Sequence, residues 1–149
     1  MTNKFIAYAT SYLAAIDMPA PLRERVKTIY EFYRKIIPDE ITDVFVTDYL
    51  NKDGTRVYEN LWFFSETYCM EAKQFITKDD FDITPIKVRM RYVRIQKEDY
   101  DFKKATEKSK VNLYFGLETG VTGDLKASNE NCDYLKDTFL KHFTPNLMK

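Results

Sequence analysis

The stretch ITDVFVTDYLNKDGTRVYENLWFFS, residues 41–65, decides the fold. Ile41 to Leu50 alternates and is rich in β-branched residues, which is the pattern of a strand. Asn51-Lys52-Asp53-Gly54 then supplies a glycine for positive φ in a tight reversal. Val57 to Ser65 returns, carrying Tyr58, Leu61, Trp62, Phe63 and Phe64. Four large apolar residues in a row predict cover on both faces, because a strand with one wet face would alternate. These 25 residues therefore read as an antiparallel hairpin with a large apolar load.

Upstream of this hairpin the period is 3.6 rather than 2. Phe5, Ala9, Tyr12, Leu13 and Ile16 fall on one helical stripe, predicting a helix from about Thr2 to Ile16. It stops before Pro19 and Pro21. A second helix starts with Pro21 near its first turn, where the missing N–H costs nothing. Leu22, Val26, Ile29, Tyr30, Tyr33 and Ile37 form its buried stripe, and Pro38 ends it. The connection is short, so residues 1–38 are expected to pack as an antiparallel helical hairpin.

Downstream, Tyr68 to Phe75 continues as strand, with either a turn or a bulge at Ser65-Glu66-Thr67. Residues 76–84 hold Asp79, Asp80 and Asp82 and read as a loop. Pro85 then opens what reads as the longest strand, Ile86 to Lys97. Ile86, Val88 and Met90 alternate there with Lys87, Arg89 and Arg91. Beyond Tyr92 the apolar positions change parity to Val93 and Ile95, the mark of a β-bulge. Glu98 to Lys110 is charged and reads as a loop or frayed helix. Val111, Leu113, Phe115 and Leu117 alternate again, Glu118-Thr119-Gly120 turns, and Val121 to Ala127 returns. Ser128 or Asn129 is placed to cap a last helix. Its apolar stripe is Cys132, Leu135, Phe139 and Phe143, and Pro145 closes it.

Composition bounds what such a chain can do. Its 149 residues are expected to form a single domain, 1–149, with the helical hairpin at 1–38 and the sheet plus final helix at 39–149. Twenty-three basic residues balance 23 acidic ones, which argues against nucleic acid as a partner. Two cysteines 63 residues apart make neither a disulfide framework nor a zinc set. One histidine, His142, excludes His-pair metal sites, so no metal and no cofactor is expected. Phe5 to Ile16 after Lys4 loosely resembles a secretory signal, but Tyr8, Thr10, Ser11 and Tyr12 interrupt it. No run approaches the ~18 consecutive apolar residues of a membrane span, so a cytoplasmic location is the expectation.

Two helices, about six or seven antiparallel strands and a closing amphipathic helix make an α+β chain. From Ile41 to Phe143 this order resembles the pleckstrin-homology superfold, as seen in bacterial PH-like domains. The resemblance lies in architecture and in the closing helix rather than in any short motif. It implies a seven-stranded strongly bent sheet or barrel plugged by the last helix, with the N-terminal helices as an addition. It also implies a binding module, since PH-like domains that take phosphoinositides use basic residues on strands near one open end. A helix-grip fold is the competing architecture, but it places helices between strands, where no long helical pattern occurs.

Against that background Lys87, Arg89 and Arg91 are the candidate site for an anionic group. Alternation would put all three on one strand face, about 6–7 Å apart. The competing reading is neutralisation: residues 39–82 carry 11 acidic and 4 basic groups, while 83–110 carry 9 basic and 4 acidic. Neighbouring strands from those segments could pair across the sheet.

Other constellations have bland readings. Asp79, Asp80 and Asp82 lack the later ligands of a calcium loop, with Thr84 and Pro85 where an acid or amide and a glycine are needed. Gly116, Gly120 and Gly123 lack the Gly-Lys-Ser/Thr of a phosphate loop and read as turn and bulge glycines. His142, Cys69 and Cys132 read as packed residues, and no catalytic set emerges. The expected function is a non-enzymatic interaction module for an anionic ligand or protein partner, leaving room for peripheral membrane contact and for self-association through the N-terminal helices. The alternatives are a carrier of an apolar small molecule in an aromatic-lined pocket and, last, a small enzyme using Asp, Glu or Tyr.

Overall fold

The computed structural model describes residues 3–147. Among them three α-helices and seven strands follow one another: α1 Asn3–Ala15, α2 Ala20–Ile36, β1 Ile41–Leu50, β2 Arg56–Ser65, β3 Tyr68–Lys73, β4 Asp80–Pro85, β5 Met90–Glu98, β6 Lys110–Leu117, β7 Thr122–Ser128 and α3 Asn131–His142. A 3₁₀ turn at Thr144–Asn146 holds Pro145. The strands form two antiparallel sheets, ordered β1-β2-β3-β4 and β5-β6-β7, so the fold is α+β. None of these helices is long and apolar enough to cross a membrane. The expected helix start at Thr2 lies outside the described residues.

The chain divides into two compact units. One comprises the chain up to Val46 together with Glu59–Pro85; the other comprises Thr47–Tyr58 and the chain from Ile86 onward. The strands β1 and β2 thus contribute residues to both.

In the first unit the helical stripes are buried in part, with Leu22, Tyr30 and Ile37 only half-buried. Phe5, Tyr12, Leu13 and Ile16 are buried, as are Val26, Ile29 and Tyr33. Phe5, early in α1, stacks on Tyr30, late in α2, at 5.2 Å between ring centroids, which is the antiparallel arrangement. Phe63 of β2 meets Tyr30 edge-on at 5.7 Å and stacks on Tyr33 at 6.0 Å. The helices are therefore the cover that the apolar run Leu61–Phe64 requires on one face, and all four of its residues are buried. The Tyr12 hydroxyl accepts the Val46 N–H at 2.9 Å, satisfying a polar group inside this core.

Ser65-Glu66-Thr67 is a turn: Phe64 pairs with Cys69, and Ser65 Oγ accepts the Tyr68 N–H at 3.1 Å. The loop expected over 76–84 is in part a strand, since β4 pairs with β3 from Lys73↔Asp80 to Tyr68↔Pro85. Phe81 and Ile83 do alternate there with Asp80, Asp82 and Thr84, but so short and acidic a run matches a solvated loop equally well; in the structure the Phe81 ring stacks on Phe32 of α2 at 5.3 Å while the carboxylates of this edge strand stay exposed. Asp82 pairs with Lys73 at 3.3 Å across the β3–β4 ladder.

In the second unit the strand expected to begin at Ile86 begins at Met90. Backbone groups of 86–89 are claimed outside a ladder. The Ile86 carbonyl accepts Asn146 Nδ2 at 2.7 Å, and Arg89 exchanges hydrogen bonds with Glu118. The bulge is where the parity change put it: Met90 pairs with Leu117 and Tyr92 with Gly116, leaving Arg91 as the extra residue. Gly116 and Gly123 are not bulge glycines on the β6–β7 side, where pairing is regular from Lys110↔Ser128 to Gly116↔Thr122. Rings occupy the space of their missing side chains: a Cβ on Gly123 would sit 2.7 Å from Phe115 Cζ, and one on Gly116 would collide with Tyr92. Gly120, with φ +93°, is the turn glycine.

Neither Ser128 nor Asn129 caps α3. Its N-cap is Glu130, without a side-chain cap bond, because the Ser128 hydroxyl is claimed by Asp48. Cys132, Leu135, Phe139 and Phe143 are buried as their spacing requires. Phe143 packs 4.8 Å from Phe115, joining the helix end to β6. Residues 99–109 are a loop held to α3 by Asp133, whose carboxylate accepts the Tyr100 hydroxyl at 2.8 Å and the Ala105 N–H at 3.1 Å.

Candidate functional site

Lys87, Arg89 and Arg91 are all exposed, but they do not share one face of a strand. Lys87 lies in a bend, Arg89 just before β5, and Arg91 at the bulge. Arg89 is the best-positioned of the three. Its N–H donates to Glu118 Oε1 at 3.1 Å and its carbonyl accepts the Glu118 N–H at 2.9 Å. That exchange anchors the backbone while the side chain stays exposed. Among the described residues neither Arg89 nor Arg91 forms an ion pair.

The strongest polar cluster was not legible as one in the sequence. Asp48 near the end of β1 has no exposed side-chain surface. Its Oδ1 accepts the Ser128 N–H at 3.1 Å and Asn131 Nδ2 at 2.7 Å. Its Oδ2 accepts Arg56 Nε at 2.8 Å and the Ser128 hydroxyl. Arg56 in turn bridges to the Glu130 carboxylate and donates to the Ser128 carbonyl at 3.2 Å. Burial alone would lower the guanidinium pKa, but Asp48 and Glu130 outweigh it and hold it raised, so the ion pair persists. Four donors already occupy this carboxylate, which has no exposed side-chain surface, and Ser128 is buried with its hydroxyl committed. This cluster fastens the hairpin tip to the start of α3. It is a buried, satisfied network rather than a reaction centre. Arg25 does similar work in the first unit, donating to the Phe75 and Lys78 carbonyls at 2.7 and 2.9 Å and pairing with Asp79.

Asp79 pairs with Arg25 and Asp82 with Lys73. Among the described residues no group of three or more His, Cys, Asp and Glu is placed to hold a metal ion. His142 ends α3, buried. Burial pushes the thiols of Cys69 and Cys132 up to about 12, the opposite of what a reactive thiolate needs.

Each unit carries a recess. In the second, a polar groove of about 280 Å³ is lined by Tyr49, Gln96, Lys110, Asn112 and Lys126, with Lys126 Nζ 5.9 Å over the Tyr49 ring. In the first, an apolar cavity of about 410 Å³ opens between α1 and α2, with Phe5, Tyr30 and Phe63 among its walls. Ala9 and Ala20 bring small side chains to its lining.

No family model matches this chain. No curated protein matches it either. A solved structure, the C-terminal domain of an unknown protein from Leishmania infantum, is similar at TM-score 0.45 and 10% identity, covering 76% of this chain and 96% of its own. A likeness that distant carries nothing about fold or function.

Proposed function

We propose that this protein is a non-enzymatic binding module of pleckstrin-homology-like architecture, acting in the cytoplasm, that takes a phosphorylated anionic group on Arg89 and Arg91 with Lys87 beside them. Support for the architecture comes from seven strands divided four and three, followed by a helix whose apolar stripe is buried. Fold likeness is a weak warrant for function, so the site must bear the weight. The observation that carries it is Arg89: a backbone pinned from both sides by Glu118, with an exposed guanidinium that has no carboxylate partner among the described residues. Guanidinium groups bind phosphate oxygens in bidentate geometry, and a fixed backbone lowers the entropy lost on binding.

Cosedimentation with vesicles containing acidic phospholipid, against phosphocholine vesicles, tests this reading. Binding is expected only to the acidic vesicles and should weaken with salt, since exposed charges are screened beyond about 8 Å at physiological ionic strength. Arg89→Glu with Arg91→Glu should abolish it without unfolding the protein. If wild type ignores both vesicle types at low salt, the lipid-headgroup reading falls. A second reading, carriage of an apolar small molecule, has support of its own in the aromatic cavity of the first unit.

A further inference from the structure

The cavity between α1 and α2 has features that define what it would hold. Its walls include Phe5, Leu13, Val26 and Phe63, whose exposures run only from 1% to 6%. Ile6, 41% exposed, also lines the space, which is therefore a recess open to solvent. A narrow chain can enter such a recess. Its volume of about 410 Å³ sits toward the lower end of the roughly 300–1,000 Å³ typical of small-molecule pockets.

The vacancy is written into the helix stripe. Phe5, Tyr12, Leu13 and Ile16 fill their positions and are buried, while Ala9, on the same stripe, lines the cavity. A leucine at position 9 would occupy the space. Polar character at the cavity comes chiefly from α2. Arg23 and Lys27 lie one turn apart on the same helical face, both exposed, and neither forms an ion pair among the described residues. Two carboxylates also line it: Glu31, occupied by Arg34 at 3.7 Å, and Glu24. Two uncommitted cations thus face one uncommitted acid beside an apolar recess.

From this arrangement we infer that the cavity binds a single-chain anionic amphiphile, a medium- or long-chain carboxylate, with its tail against Phe5 and Phe63 and its headgroup on Arg23 and Lys27. This rests on the carrier reading and names its ligand class. The hydrocarbon would leave water for an apolar recess, so affinity should rise with chain length. At the usual worth of a buried methylene the gain is about fourfold per carbon, ending when the cavity is full. The carboxylate would make charge-assisted hydrogen bonds that an alcohol of equal length does not match.

Isothermal titration of the full chain with octanoate, decanoate and dodecanoate, and with decan-1-ol, all below micelle formation, tests each part. Wild type should bind decanoate tighter than decan-1-ol and should show the chain-length series. Arg23→Gln with Lys27→Gln should weaken decanoate about tenfold and leave decan-1-ol unchanged. Glu24→Gln should tighten decanoate. Ala9→Leu should abolish binding of both while its melting temperature is kept or raised, which separates a filled cavity from an unfolded protein. Equal affinity for acid and alcohol, unaltered in the Arg23 and Lys27 variant, would overturn the anionic assignment and leave the carrier reading standing. No binding of any chain to wild type would overturn both. Undiminished binding to a folded Ala9→Leu variant would place the ligand elsewhere and end the proposal.

Discussion

At the scale of single residues, two positions show how backbone and charge constrain this chain. Gly54 has φ +84°, and a Cβ placed there would meet nothing within 4 Å. The constraint is therefore conformational and not steric. Gly54→Val should cost about 1–2 kcal/mol, the penalty for an L-residue in the left-handed region, while Lys52→Ala in the same turn should stay within about 0.5 kcal/mol. Urea denaturation of both variants measures the difference, and equal costs would mean that the turn does not need its glycine. Asp48 poses the electrostatic case. Its carboxylate holds four donors and faces Arg56, whose side chain is 13% exposed. Asp48→Ala should cost about 3–5 kcal/mol, because it strands a largely buried guanidinium and unsatisfied amide donors. Asp48→Asn should lie well below wild type too, since an amide cannot accept all four bonds. A stability close to wild type for either variant would show that the network is decoration.

At the scale of elements, α3 is the clearest test of how packing follows from spacing. Leu135 and Phe139 lie on its buried stripe, whereas Leu140, one residue on, is 56% exposed. Leu135→Ala and Phe139→Ala should each cost about 2–5 kcal/mol, the range for emptying a packed site. Leu140→Ala should cost less than about 0.5 kcal/mol. Thermal melts of the three variants check the ranking. If the first two prove as mild as the third, the helix does not plug a core and the PH-like reading loses its main support. The segment 86–91 carries the opposite lesson. Ile86 and Met90 are buried and Lys87, Arg89 and Arg91 exposed, so the alternation reported burial faithfully. It did not report pairing, because Asn146 and Glu118 take backbone bonds there that a ladder would otherwise make.

At the scale of the whole molecule, one cysteine lies in each compact unit, Cys69 in the first and Cys132 in the second. Burial raises both thiols from an ordinary 9.0 to about 12. Each therefore holds its proton more tightly folded than unfolded. The stability this contributes is fully present below pH 9 and is lost as pH rises from there toward 12. Denaturant midpoints should be flat from neutral pH to 9 and fall beyond it, and Cys69→Ala should flatten that fall. Neither thiol should react with iodoacetamide at pH 8 in native protein. Because β1 and β2 contribute residues to both units, both thiols should become reactive in one denaturant transition. Two separated transitions would show that the shared hairpin does not couple the units.

Local pattern sufficed wherever a residue's neighbours along the chain determine its environment. The helix stripes, the Gly54 reversal, the bulge at Arg91 and the buried face of α3 were all readable for that reason. Only tertiary structure decided that Asp80–Pro85 is a strand, since the alternation of Phe81 and Ile83 with acidic neighbours is too short to separate an edge strand from a loop without the partner β3. It likewise decided that Asp48 is a buried anchor, because the donors that make its burial affordable, Arg56, Ser128 and Asn131, lie between 8 and 83 residues away. The cavity beside Ala9 belongs to the same class. A small residue on a helix stripe leaves a void only if the facing residues fail to close over it, and the facing residues here come from α2 and β2.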